Sequence, residues 1–181
     1  PGFINTHAHI SESPLDKSFV EDVGKRHYYQ SGLYEMLGPR NAVITRDHRA
    51  SLIAYSMAEL IRTGTTTLME IGPLPDETVS EAVKIGLRTY MGTMYNSMAS
   101  WKRGPGLAIN YEFVDDEEDD RRIDDAVRSV EKYHGSHDDL IRGWMSPLTV
   151  DTSSERMLLR TKAIAKELGW QITLHTSQSV F

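Results

Sequence analysis

Five short apolar or β-branched runs recur along this 181-residue chain, at residues 3–7, 65–71, 87–91, 140–145 and 170–175. Helical patterns separate them. Between the first two, Leu52, Ile53, Ser56, Met57, Leu60 and Ile61 form one helical stripe that Gly64 terminates. A short helix over residues 77–85 stops at Gly86, and Ile123, Ala126, Val127, Val130 and Tyr133 mark another that Gly135 ends. The last helix carries Met157, Leu158, Ile164, Ala165 and Leu168, closes at Gly169, and is expected to open on the capping box Thr152-Ser153-Ser154-Glu155. Strands that alternate with helices form parallel sheets, because a parallel neighbour requires a crossover of a dozen or more residues. The fold class is therefore α/β. Residues 10–48 and the stretch 101–113 are expected to be connections without strands, the first long enough to serve as a lid or binding loop.

In parallel α/β proteins, ligands bind beyond the carboxyl ends of the strands, whether the sheet is open or closed into a barrel. Three histidines fall there. His7 and His9 close the first run and His175 closes the fifth, whereas His27, His48, His134 and His137 fall in connections or at helix ends. Side chains two apart on a strand share a face, so His7 and His9 make half of a metal site. With 7 histidines in 181 residues, one such pair arises by chance in about one chain of four, so the pair needs its strand context. Glu70 ends the second run and is expected to bond neighbouring backbone or face solvent. Trp101, Tyr28, Tyr29 and Tyr34 lie in predicted loops and are expected to pack there.

Composition narrows the chemistry. A formal charge of −6 and no Lys/Arg cluster argue against a nucleic-acid or anionic-membrane surface and favour a small-molecule substrate. The absence of cysteine excludes disulfides and thiolate metal sites, so any metal is held by nitrogen and oxygen, and a cytoplasmic location is compatible. No apolar run approaches the ~18 residues of a membrane span. The acids from Asp115 to Asp120 are contiguous, which suits a helix entry rather than the spaced ligands of a hard-cation loop.

The opening Pro1-Gly2-Phe3-Ile4-Asn5-Thr6-His7-Ala8-His9 resembles the first-strand signature of the amidohydrolase superfamily, Pro-Gly-[Leu/Phe]-[Ile/Val]-[Asp/Asn]-x-His-x-His. Two further segments agree in order. Glu59-Leu60-Ile61-Arg62-Thr63-Gly64-Thr65-Thr66-Thr67 is similar to the family's approach to strand two. Ile172-Thr173-Leu174-His175-Thr176-Ser177-Gln178 is similar to its fifth-strand metal histidine. The resemblance is strongest to the branch of triazine chlorohydrolases, S-adenosylhomocysteine-type deaminases and guanine or cytosine deaminases.

What the resemblance implies is a (β/α)₈ TIM barrel holding one divalent metal, zinc or iron, through His7, His9 and His175 here. A sixth-strand histidine and an eighth-strand aspartate complete that set in the family and have no counterpart in residues 1–181. The chain is therefore expected to be the N-terminal portion, about five βα units, of a single barrel domain not closed within it. An open barrel exposes two sheet edges, so the segment alone is expected to aggregate or to bind metal weakly. A homo-oligomer of the full-length protein is compatible with the sequence.

The implied reaction is attack of metal-activated hydroxide on a non-peptide carbon–nitrogen bond of a cyclic or heteroaromatic small molecule. Two positions depart from the deaminases. Gln178 stands where they carry a proton-handling glutamate, and Pro147-Leu148-Thr149 replaces Pro-His-Ala. A glutamine amide carries no titratable proton at neutral pH but orients a substrate by hydrogen bonds, so Gln178 is the candidate for that role. Two other readings stay open: hydrolytic dechlorination of a heteroaromatic ring, and a non-catalytic metal-binding or assembly protein.

Overall fold

The computed structural model describes residues 1–17, 32–105 and 109–176. Its centre is a parallel sheet of β1 (Phe3–Ala8), β2 (Thr65–Gly72), β3 (Arg88–Tyr95) and β6 (Ile141–Pro147), paired in that order. Residues 170–175 occupy the fifth position beside β6. They are tied to it by Met145 N–H to Gln171 O, Thr173 N–H to Met145 O and His175 N–H to Leu148 O, all 2.9–3.0 Å. These contacts amount to two isolated bridges, Met145 with Ile172 and Thr149 with His175, rather than the continuous strand expected. The described residues place no further strand on its outer side, so only one row of backbone groups holds it.

Each crossover forms for local reasons. α3 (Arg46–Arg62) starts at Thr45, whose hydroxyl accepts from His48 N–H while His48 Nδ1 accepts from Thr45 N–H, a reciprocal cap. α4 (Pro75–Ile85) has its proline where the missing N–H costs nothing, and it ends on Gly86 at φ 74°. α5 (Asp116–Tyr133) opens on Asp115, which accepts from Glu118 N–H, and acids fill its first turn. The Asp115 to Asp120 block is thus a helix entry.

α7 (Glu155–Leu168) corrects the predicted capping box. Its cap is Ser154, accepting from Met157 N–H at 3.0 Å, while Thr152 Oγ1 is taken by Thr149 Oγ1 in the preceding turn. Apolar faces then bury two clusters. Ile53 and Met57 of α3 and Val79 and Ala82 of α4 meet Leu68, Met91 and Ile141 of the sheet. Ile123, Ala126 and Val130 of α5 and Met157 of α7 meet Tyr95 and Met145. Fully burying one such side chain contributes ~1.5–3 kcal/mol.

Two predicted connections contain structure. Residues 10–48 include α1 (Ser13–Asp16), α2 (Gly32–Val43) and the first turn of α3. α2 has almost no amphipathic pattern and holds Pro39 inside it, which hid it from a periodicity reading. The second stretch carries strands of an antiparallel hairpin, β4 (Met98–Arg103) paired with β5 (Ile109–Phe113). β5 alternates apolar and polar from Ile109 to Phe113, but its partner β4 does not.

The short α6 (Ser136–Asp139) between α5 and β6 is strained. His137, Asp138 and Asp139 follow one another at φ 53°, 55° and 63°, the left-handed region that costs L-residues ~1–2 kcal/mol each. Arg88 Nη1 to Asp139 O at 2.9 Å and the Arg142–Asp139 ion pair hold it. Asp138→Gly is expected to raise stability by about 0.5–1 kcal/mol, as relief of strain outweighs the entropy of the added glycine. Urea denaturation reads this directly, and a destabilised variant would contradict the strain.

Candidate metal centre

The three histidines meet although 166 residues separate His9 from His175. β1 is irregular where it must aim them. Asn5 pairs with Leu68 but Ala8 with Glu70, so one extra residue is accommodated around His7, a bulge that re-aims side chains at a strand end. Asn5 Oδ1 accepts from His7 N–H at 3.1 Å within this bulge. The ring centroids lie 5.0 Å apart for His7–His9, 4.8 Å for His7–His175 and 5.1 Å for His9–His175. One nitrogen from each ring falls within 4.8 Å of the others.

Hydrogen bonding fixes which nitrogens face inward. His9 Nδ1 donates to Ile71 O at 2.7 Å, and His175 Nδ1 donates to Leu148 O at 2.6 Å. A carbonyl only accepts, so both Nδ1 atoms carry a proton, the tautomer that in a neutral imidazole leaves the lone pair on Nε2. Those Nε2 atoms are 3.0 Å apart. Two lone pairs at that separation repel unless a cation lies between them. Burial, then the neighbouring His175, His7 and Arg40, push His9 down to about 4, against the Ile71 bond that favours its charged form. His7 is also lowered, first by burial and then by His175. Nitrogens on tetrahedral zinc with bonds of ~2.0–2.1 Å sit about 3.3 Å apart, close to the 3.0 Å found between these two. The donor set fits a divalent ion that accepts imidazole.

His9 and His175 open onto a cavity of about 640 Å³ at the strand ends. Leu37, Leu74, Met94, Met98 and Leu148 supply an apolar wall. Opposite lies a buried ionic lattice. Arg40 Nη1 donates to both oxygens of Asp16 at 2.8 Å, Glu12 pairs with Arg49 and lies 3.6 Å from Arg40, and Asn41 Oδ1 accepts from both arginines. Two guanidinium groups against two carboxylates leave this wall nearly neutral. Neither the lattice nor the methionines stood out in the sequence, because their residues come from separate elements that meet only in the fold.

Glu70 lies behind the histidines. It is 1% exposed, its Oε2 accepts from Ile10 N–H at 2.9 Å, and burial pushes its carboxyl up to about 8 against the bonds from Ile10 and Ile71. Because the folded value lies above the unfolded one, the folded carboxyl keeps a proton that the unfolded chain has released. This group's contribution to stability therefore falls as pH rises from about 4.5 to about 8. Glu70→Gln is expected to remove that slope, gaining on the parent protein by an amount on the order of a few kcal/mol by the top of the window. Metal-free melts at pH 5 and pH 8 check it; parallel pH profiles for the two proteins would contradict it.

Of the other sequence candidates, Gln178, Tyr28, Tyr29 and the side chain of Tyr34 lie outside the described residues. Trp101 is on β4 and is not among the described residues lining the cavity. His134 Nδ1 bonds Gly143 O at 3.0 Å and packs near Trp170, a structural role. No described helix is long and apolar enough to cross a membrane.

Known proteins share this arrangement of elements. A 5-methylthioadenosine/S-adenosylhomocysteine deaminase of Thermococcus onnurineus is 24% identical over 180 residues, covering 99% of this chain and 38% of its own. A 5'-deoxyadenosine deaminase of Methanobrevibacter smithii is 25% identical over 179 residues, with 99% and 37% covered. Among solved structures, the zinc complex of an atrazine chlorohydrolase from Arthrobacter aurescens TC1 superposes with TM-score 0.74 at 16% identity, over 97% of this chain and 40% of that one. An adenosine deaminase from Xanthomonas campestris with bound zinc gives TM-score 0.74 at 20% identity, over 99% and 37%. The likeness shows a shared fold, the TIM barrel, of which this chain provides the parallel strands described above. The chain spans less than two-fifths of the length of these curated relatives. The Amidohydrolase family model matches residues 1–179, and the chain belongs to that family.

Proposed function

We propose that the protein is a metal-dependent hydrolase acting on a carbon–nitrogen bond of a cyclic or heteroaromatic small molecule, and that residues 1–181 are the N-terminal portion of its single barrel domain. One observation carries this reading: the facing lone pairs of His9 and His175, with His7 beside them, at the mouth of a cavity. His7, His9 and His175 would hold one divalent ion. Zinc is the first choice, since the chlorohydrolase and adenosine deaminase of the same fold carry it and imidazole suits it. When bound, such an ion supplies Lewis acidity and, from water, a hydroxide nucleophile near neutral pH.

This chain's residues do the rest of the positioning. Ile71 O and Leu148 O hold the imidazoles in the one tautomer that leaves Nε2 free. Leu74, Met94, Met98 and Leu148 offer a flat ring an apolar surface and exclude water from around the reacting carbon. Gln178 would orient the substrate through its amide, and it cannot move a proton. The leaving group must therefore receive its proton from another residue.

The deaminase relatives favour ammonia as the leaving group, and Gln178 at the deaminases' glutamate position favours a halide. The test is a panel of aminated and chlorinated purines, pyrimidines and triazines, assayed for ammonia and chloride with the zinc-loaded gene product that carries this chain. Ammonia release is expected. Chloride release alone would move the assignment to dechlorination, and neither product from zinc-loaded protein would sink the hydrolase reading.

A further inference from the structure

We infer that Glu70 is a positioning residue that locks the His-x-His strand end into its metal-binding geometry, an inference that rests on the metal reading above. β2 grips the residues around His9 twice in succession. The Ile71 carbonyl takes the imidazole proton at 2.7 Å, and the preceding Glu70 side chain takes the N–H of Ile10, the residue that follows His9, at 2.9 Å. The bulge in β1 interrupts the backbone pairing here, between Asn5 and Ala8. A side chain thus replaces a ladder bond at the point where the strand turns away.

The surroundings are built for that carboxyl. Glu70 Oε1 and Ser11 Oγ are both buried with no hydrogen-bond partner among the described residues, Ser11 being 1% exposed. Both border the place where a side chain on residue 72 would begin. Residue 72 is glycine, and a Cβ there would collide with Glu70 Oε1. The glycine has no left-handed backbone to require it, so the space for the carboxyl is what it provides. Ser56 Oγ donates to Ile10 O at 3.0 Å from α3, so both backbone groups of Ile10 are held by buried side chains. A carboxylic acid is a costly choice for such a place, and a purely structural role would be met by an apolar residue and a regular ladder.

The experiment measures zinc affinity by chelator competition and the visible spectrum of the cobalt(II)-substituted protein, for the gene product that carries this chain. Glu70→Gln keeps the volume and an acceptor for Ile10 N–H; Glu70→Met keeps the volume and loses the acceptor. Glu70→Gln is expected within about threefold of the parent with the same cobalt spectrum. Glu70→Met is expected to bind ~10–100-fold more weakly with a shifted spectrum, the range for partners that orient metal ligands. Should Glu70→Met fail to fold, Gly72→Ala displaces the carboxyl from a permissive backbone and is expected to reproduce the loss. Parent-like affinity and spectrum in folded Glu70→Met, or in Gly72→Ala, would overturn the inference. His7→Ala and His175→Ala run alongside separate the two claims: loss of zinc there with none at Glu70 refutes only the positioning role, while retention in all variants refutes the metal site itself.

Discussion

His9→Ala is expected to lower zinc affinity by at least about a hundredfold, the largest effect of any single substitution in this chain. The expectation follows from geometry. His9 is half-buried, and its Nε2 lies 3.0 Å from that of His175. Orienting partners of metal ligands are worth ~10–100-fold in affinity, and a ligand is worth more than its partner. His9→Gln tests the same point with less loss of volume and is expected to fall by a similar factor, because its longer, flexible amide is a poor substitute for a fixed imidazole. Fold integrity is read separately by circular dichroism. A folded His9→Ala protein with parent-like zinc affinity would contradict the assignment.

The second large effect is on stability. β6 and α5 touch at Gly143, where a Cβ would lie 2.9 Å from Val130 Cγ1 and 3.0 Å from Val130 Cα. The second of these atoms is backbone and cannot rotate away. Gly143→Ala must therefore push α5 off the sheet along the Ile123, Ala126 and Val130 face, opening the cluster that Met145 and Met157 complete. Overpacking of this kind costs about 1–3 kcal/mol, and a rigid backbone contact places this site at the upper end. In a domain of this size that lowers the melting temperature by roughly 5–10 °C. A thermal melt reads it, and a change below about 1 °C would show that α5 has room to spare.

How much of this was legible in the sequence depended on which signals were periodic. The strand–helix alternation placed β1, β2, β3 and β6 and the crossovers α3, α4, α5 and α7, because buried parallel strands and amphipathic helices write themselves as apolar runs and stripes. Strand-end logic then brought His7, His9 and His175 to one rim, where the structure has them. α2 was missed because its pattern is not amphipathic, and the β4–β5 hairpin was missed although Ile109 to Phe113 alternates apolar and polar, because β4 opposite it does not. Thr152 looked like a cap, but a local hydroxyl pair with Thr149 took its side chain and left the cap to Ser154. Glu70 was expected to bond neighbouring backbone or face solvent; it bonds backbone, through Ile10, and is shut away from solvent. Its burial, and the reason for Gly72, depend on three segments meeting and so had no local signature.

The central claim is that three imidazoles of this chain share one metal ion. X-ray absorption at the zinc edge of the loaded gene product tests it most directly. The account predicts at least three nitrogen scatterers at about 2.0–2.1 Å with the outer-shell pattern of imidazole, and no sulfur. An oxygen-only shell without imidazole scattering, or a spectrum unchanged when His7 and His175 are both replaced by alanine, would contradict it.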